Sequence, residues 1–267
     1  MLRLAIVLIL TVTACTITPV THNASPAAAA SLAPSGKLRA AINFGNPILA
    51  TRDAATGEAR GVSVDLAREL ARQLGVPVDL VLFDAAGKVV EGLKANAWDV
   101  AFVAIDPARA VDMDYSAPYV VIEGAYLVPQ ASPIKRNADV DRDGVRVVVG
   151  AGSAYDLYLS RELRNAQIVR APTSPAVVDA MVAQKLDVAA GVKQQLEADS
   201  KRIPGVRLLD GHFMVINQAM AIPKGRAAGV RYLAEFVEEM KASGFVASAL
   251  KRHGIEGAVL APPAIRQ

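Results

Sequence analysis

Along the chain, short apolar runs alternate with helical stripes from about residue 37 onward. Residues 38–44 form one such run, closed by Gly45-Asn46-Pro47, and read as a strand. Residues 51–60 are polar around Thr56-Gly57 and predict a loop or hairpin. Ser63 reads as an N-cap for a helix in which Leu66, Leu70 and Leu74 recur at i, i+4 beside Ala67 and Ala71. Gly75 and Pro77 stop that helix. Strands are predicted over 78–83 and 100–105, the second ending at Asp106-Pro107, where a capping Asp and a Pro at the first helical position open a short helix. A long apolar run covers 120–128. A strand over 145–149 turns tightly through Gly150-Ala151-Gly152-Ser153 into a helix over 154–163. After a strand-like run at 213–222, helices over 227–242 and 245–252 are separated by Ser243-Gly244. Alternation of strands and helices predicts parallel α/β sheets covered on both faces. Ligands on such sheets sit at the carboxyl ends of strands, which singles out residues 44–47, 104–109 and 150–155.

The pattern also repeats. The segment from Val89 to Ala101 aligns without a gap on Val177 to Ala189, 88 residues later, with six identities: both Val pairs, Ala95/Ala183 and the Asp-Val-Ala triplet. Each copy reads as an amphipathic helix, a polar turn and a short apolar strand preceded by Asp. The offset is too long for a solenoid and suits a lobe. Two similar units imply two lobes and a cleft between them. Trp98 reads as core, because Leu186 takes its place in the second copy.

Composition sharpens the picture mainly at the N-terminus. The net charge of +3 comes from 29 basic and 26 acidic residues spread throughout, with no basic block, so nucleic acid is a poor partner. Met1-Leu2-Arg3 precedes an uncharged apolar run over 4–12, too short for a stable bilayer anchor and suited to a signal peptide. It ends at Val12-Thr13-Ala14-Cys15, which resembles a bacterial lipobox whose Cys is lipidated. The alternative is an ordinary signal cut later, within Ala27 to Ala30, with Cys15 discarded; both readings export the protein. Cys15 is the only cysteine, so no internal disulfide can form. Residues 16–36, rich in Thr, Ser, Pro and Ala, read as a disordered tether reaching about 70 Å when extended. The three histidines have no partner at metal-ligand spacing, and no Gly-x-Ser-x-Gly occurs. Gly150-x-Gly152 lacks the third Gly and the lysine of a phosphate loop. No metal or cofactor is expected.

The order of motifs from about residue 36 to 254 resembles the bacterial family 3 extracellular solute-binding proteins, the amino-acid type that feeds ABC transporters. The resemblance rests on the stretch from Gly57 to Leu66, on Asp99 through Arg109 leading to Ser116-Ala117-Pro118-Tyr119, on Gly152-Ser153, and on Ser243-Gly244-Phe245. It implies a two-lobed α/β periplasmic-binding-protein fold of type II, with two crossover strands, closing like a hinge on a small solute. Lobe 1 would be 37–123 plus 216–267 and lobe 2 would be 124–215, after a signal peptide at 1–15 and the tether at 16–36. It further implies a monomer, and an ABC permease as partner.

Several residues acquire roles from the resemblance. Arg109 falls where the family grips the ligand carboxylate, a two-pronged match for a guanidinium; otherwise it pairs with Asp106 or Asp112 on its own short helix. Ser153, with Gly152 and Ala154, falls where the second lobe donates hydroxyl and backbone N–H groups, although Ser153 and Asp156 also form a capping-box variant. Phe44 and Asn46 lie where an aromatic ring often meets the ligand, and otherwise are a core Phe and a turn Asn. Glu123, inside an apolar crossover, needs a partner and either faces the cleft or pairs with a basic residue. Two positions depart from the family: Val192 stands where an Asp usually holds the ammonium group, and Ala104 replaces a common hydroxyl. The expectation is a receptor for a small carboxylate that is not a standard α-amino acid. The alternatives are a dehydratase of the cyclohexadienyl or arogenate type, with Glu123 or Asp106 as acid or base, and a lipid-tethered sensor or interaction module.

Overall fold

The structure, a computed structural model, describes residues 24–265. The signal peptide, Cys15 and the first part of the expected tether lie outside the described residues. The chain opens with helix α1 (Pro26–Leu32), strand β1 (Leu38–Asn43) and a hairpin of β2 (Thr51–Arg52) and β3 (Ala59–Arg60). Helix α2 (Val62–Leu74), β4 (Val78–Phe83), α3 (Ala86–Lys94) and β5 (Val100–Ala104) follow, then the long strand β6 (Met113–Pro129). Next come β7 (Arg146–Gly150), α4 (Ala154–Glu162), β8 (Gln167–Ala171), α5 (Val177–Ala183), β9 (Val188–Val192), α6 (Lys193–Arg202) and β10 (Val206–Leu208). The chain closes with β11 (Met214–Pro223), α7 (Ala227–Ala242), α8 (Phe245–Arg252) and β12 (Val259–Leu260).

The principal sheet has the strand path β4-β1-β5-β11-β6-β9-β7-β8, with β10 and β12 also paired to β6. Its two ends are parallel half-sheets: β1 pairs in parallel with β4 and β5, and β7 with β8 and β9. Between them run two antiparallel strands. The early residues of β6, up to Gly124, pair with β11, and Gly124 to Leu127 pair with β9. Thus β6 passes from one half-sheet to the other, and β11 runs back beside it. Strands β5 and β9 are buried along their whole length, as expected where helices cover both faces of a parallel sheet.

The repeat is visible in three dimensions. Strands β5 and β9 begin 88 residues apart and occupy matching positions beside β1 and β7. Helix α3 corresponds to the single 3₁₀ turn Ser174–Ala176 plus α5. Trp98 is fully buried and its indole N–H donates to the Val89 carbonyl at 2.8 Å. Leu186 is buried in the other copy.

Three expectations need correction. Residues 26–32 are not a tether: Ser25 caps α1, Pro26 opens it, and Leu32 is fully buried. The Ser31 hydroxyl accepts from the Gly229 N–H, and the Ser31 carbonyl accepts from Arg226, fixing α1 on α7. The run of alanines has high helix propensity but shows no apolar stripe, since only Leu32 is large. Ser63 is not an N-cap. That place belongs to Gly61 at φ 126°, where a Cβ would strike the Leu49 carbonyl, and the Ser63 hydroxyl meets that of Tyr119 at 3.3 Å. Finally, the turn after Asp106-Pro107 is a 3₁₀ helix confined to Arg109–Val111.

Candidate functional site

A cavity of about 30 Å3 lies where the carboxyl ends of the two half-sheets meet. From the first come Asn43, Gly45 and Asn46 after β1, Ala86 at the start of α3, Ala104 at the end of β5, and Arg109. From the second come Ser153, Ala154 and Tyr155 at the start of α4, Ser174, and Val192 at the end of β9. Ile216 and Gln218 of β11 complete the wall. Two pairs of these residues, Ala86/Ser174 and Ala104/Val192, stand at the repeat offset of 88. The cavity is therefore built by the same strand ends and helix starts used twice.

Arg109 is only 3% exposed. Its Nη1 donates to the Ala104 carbonyl at 3.0 Å and its Nη2 to the Gly152 carbonyl at 2.8 Å, so the guanidinium spans the two halves. Among the described residues its Nε has no hydrogen-bond partner. Burial pulls the guanidinium pKa down, with Tyr115 and Asp106 acting in the opposite sense, but an arginine keeps its proton. Asp106 is not paired with Arg109. Its carboxylate accepts the Ala108 N–H at 2.8 Å and Arg161 of α4 at 2.9 Å, a second link across the cleft.

Ser153 is the N-cap of α4, its hydroxyl accepting the Asp156 N–H at 3.0 Å. The Asp156 carboxylate accepts the Gly152 N–H at 2.8 Å and is held by Arg170. The first N–H groups of a helix lack intrahelical acceptors, so this corner favours negative charge. Among the described residues one further buried polar atom at the cavity, the Asn46 Oδ1, has no partner, and the Tyr155 hydroxyl lies against the Ser174 and Ser153 side chains. Burial raises the Tyr155 phenol pKa. The backbones touch beside the cavity: a Cβ on Gly152, which sits at φ +67°, would lie 2.7 Å from the Gly87 Cα.

Of the residues singled out from sequence, Arg109, Ser153, Ala154, Asn46, Ala104 and Val192 line this one cavity, and Gly152 adjoins it. Phe44 and Glu123 do not. Phe44 lies in an open groove of about 910 Å3 on the outside of the first half, with the Arg52 guanidinium 4.8 Å from its ring centroid. Successive residues leaving a strand point to opposite sides, so Asn43 enters the cavity and Phe44 leaves it. Glu123 is held by Lys193 at 2.8 Å and His212 at 3.0 Å. The Lys193 ammonium holds the Glu123 carboxyl below its ordinary range. Gly45 and Tyr155 fall within the strand-end segments 44–47 and 150–155, whereas sequence reading missed Asn43, Ala86, Ser174, Ile216 and Gln218. The repeat offset could have found Ser174 opposite Ala86, and Gln218 is a polar residue within an apolar run. Among the described residues no group of His, Cys, Asp and Glu could hold a metal ion.

The chain matches the profile of the bacterial extracellular solute-binding proteins, family 3, over residues 38–255. No curated protein matches it in sequence. Among solved structures, the L-cysteine solute receptor of Neisseria gonorrhoeae is 22% identical with a TM-score of 0.74, covering 86% of this chain and 94% of that one. An ABC transporter binding component of Wolinella succinogenes, complexed with lysine, is 23% identical with a TM-score of 0.70, covering 82% and 95%. An ancestral amino-acid-binding protein, a precursor of cyclohexadienyl dehydratase, is 22% identical with a TM-score of 0.71, covering 84% and 98%. At these identities the likeness is one of fold. The family match extends over most of the chain, and by it the protein belongs to the bacterial extracellular solute-binding proteins, family 3.

Proposed function

We propose that the protein captures a small carboxylate lacking an ammonium group in the cavity between its two lobes, and delivers it to an ABC permease. The observation that carries this reading is the charge of the cavity wall. Among the described residues Arg109 is the one charged residue lining it, and no Asp or Glu does. An ammonium group buried there would have no anionic partner, at a cost of several kcal/mol. A carboxylate would find the guanidinium, the Ser153 helix start and the Tyr155 hydroxyl together. The lysine and L-cysteine named for two relatives both carry an ammonium group, and Val192 offers it nothing.

The lobes are taken as 37–123 plus 216–267 and 124–215, with α1 added to the first. An exported monomer, anchored through a lipid on Cys15, completes the reading. The dehydratase alternative loses its proposed acid and base, because Asp106 is held by Arg161 and Glu123 by Lys193, both away from the cavity wall. Calorimetric titration tests the proposal with hydroxy and keto acids, amino acids and prephenate. Hydroxy or keto acids should bind, and Arg109→Ala should weaken them about 100-fold, roughly 2.7 kcal/mol. Micromolar binding of an amino acid, or turnover of prephenate, would overturn it.

A further inference from the structure

Residue 87 lies in the first turn of α3, where its backbone has no positive φ and any side chain could be accommodated by the helix. Glycine is a poor helix former, so its presence there calls for a reason of space. The opposite lobe narrows that space, so that a side chain fits only if its neighbours give by a few tenths of an ångström. A Cβ on Gly87 would lie 3.3 Å from the Ala151 carbonyl oxygen and 3.4 Å from the Gly152 Cα. Gly152 in turn has no room for a Cβ, which would meet the Gly87 Cα at 2.7 Å. Here backbone meets backbone, and the lobes can approach no further. At this closure the two cross-cleft links also form, Arg109 to the Gly152 carbonyl and Arg161 to Asp106.

We propose that Gly87 sets the size limit of the solute, by letting the lobes close until the cavity admits only the shortest carboxylic acids. This rests on the solute-capture reading above and narrows its ligand class. The cavity is about 30 Å3, and on the same measure one water needs roughly 10–15 Å3. It is far smaller than the roughly 300–1,000 Å3 of ordinary small-molecule sites. A longer acid requires the lobes to stand apart, which breaks the contacts of both arginines and removes their part of the binding energy. The small side chains of Ala86, Ala104 and Ala154 do not widen the cavity, because closure is stopped beside them at Gly87.

The test is a calorimetric series on the purified protein with glycolate, lactate, pyruvate, 2-hydroxyvalerate and 2-hydroxyhexanoate, repeated on Gly87→Ala and Gly87→Leu. The wild-type protein should bind glycolate, lactate or pyruvate at least tenfold tighter than the five- and six-carbon acids. Gly87→Leu should prop the lobes apart, weaken the short acids at least tenfold and abolish the preference. Gly87→Ala should narrow the preference about threefold, and it carries the test if the leucine variant does not fold. Equal wild-type affinity for lactate and 2-hydroxyhexanoate overturns the size limit while leaving solute capture intact. An unchanged preference in a folded Gly87 variant overturns the role of Gly87. No binding of any acid by the wild type overturns the capture reading, and the size limit with it.

Discussion

The two copies of the repeat use one device with different burial. In the first, Asp99 precedes β5 and accepts from the Arg39 backbone N–H, from Arg39 Nε at 2.8 Å and from Arg39 Nη2 at 2.9 Å. In the second, Asp187 precedes β9 and accepts from the Arg146 backbone N–H at 2.9 Å and from Arg146 Nε at 3.1 Å. Both pairs tie the first strand of a half-sheet to the start of its parallel neighbour. The difference lies in the surroundings. The Asp99 side chain is 0% exposed and gains a second cation, Arg226 at 3.3 Å, because α7 and α1 cover that end of the first lobe. The Asp187 side chain is 39% exposed and has one arginine. The same three residues in sequence thus serve as a buried ion cluster in one place and as a surface pair in the other. Sequence identity specifies the geometry of the bond, and burial decides its energy.

The largest way to break this comparison is to remove each aspartate in turn. Asp99→Ala leaves two partly buried guanidiniums without their partner and should cost about 3–5 kcal/mol of stability. Asp187→Ala breaks a solvated pair and should cost less than about 1 kcal/mol. Urea unfolding of the two variants checks the ratio, and equal losses would mean that burial does not separate the copies.

A smaller effect follows from proton linkage. Burial pushes the Asp99 carboxyl up, but hydrogen bonds from Arg39 and Arg226 outweigh it and hold the carboxyl below its ordinary range. A depressed carboxylate contributes stability above the unfolded pKa of about 3.9, and that contribution is lost as the pH falls through the folded value. Wild-type stability should therefore fall more steeply below about pH 4 than that of Asp99→Asn. Parallel acid-unfolding curves for the two proteins would remove Asp99 as a source of the slope.

How much of this was legible in the sequence depends on the range of each contact. The helix, turn and strand of each copy are local, and the repeat marked them because Val89, Val90 and Asp99 recur at a fixed offset. The cavity followed from a general rule about strand ends, which is why Arg109, Ser153, Ala104 and Val192 converge. The partners of the aspartates were not legible: Arg39 and Arg146 stand 60 and 41 residues away and lie on other strands. Lys193, which occupies Glu123, is 70 residues distant. Phe44 lies off the cavity wall for a finer reason, since composition does not say on which side of a strand end a residue leaves. Helix α1 failed because alanine carries propensity without a stripe, and its burial depends on Gly229 leaving room: a Cβ there would meet the Ile222 side chain at 2.5 Å.

The smallest expected effect concerns the helix starts. Helix α3 begins after Ala85, which makes no side-chain cap bond, whereas α4 begins with the Ser153 hydroxyl on the Asp156 N–H. Ser153→Ala makes the second start like the first. The loss of one cap should cost about 1 kcal/mol. Asp156 keeps its bonds to the Gly152 N–H and to Arg170, so the turn that faces Arg109 should hold its shape. Stability and binding then separate. If Ser153 only caps the helix, the variant loses about 1 kcal/mol in urea unfolding and binds a short acid as the wild type does. If the hydroxyl also reaches the solute, affinity falls several-fold beyond that, and the start of α4 contributes a side chain to recognition where the start of α3, at Ala86, contributes none.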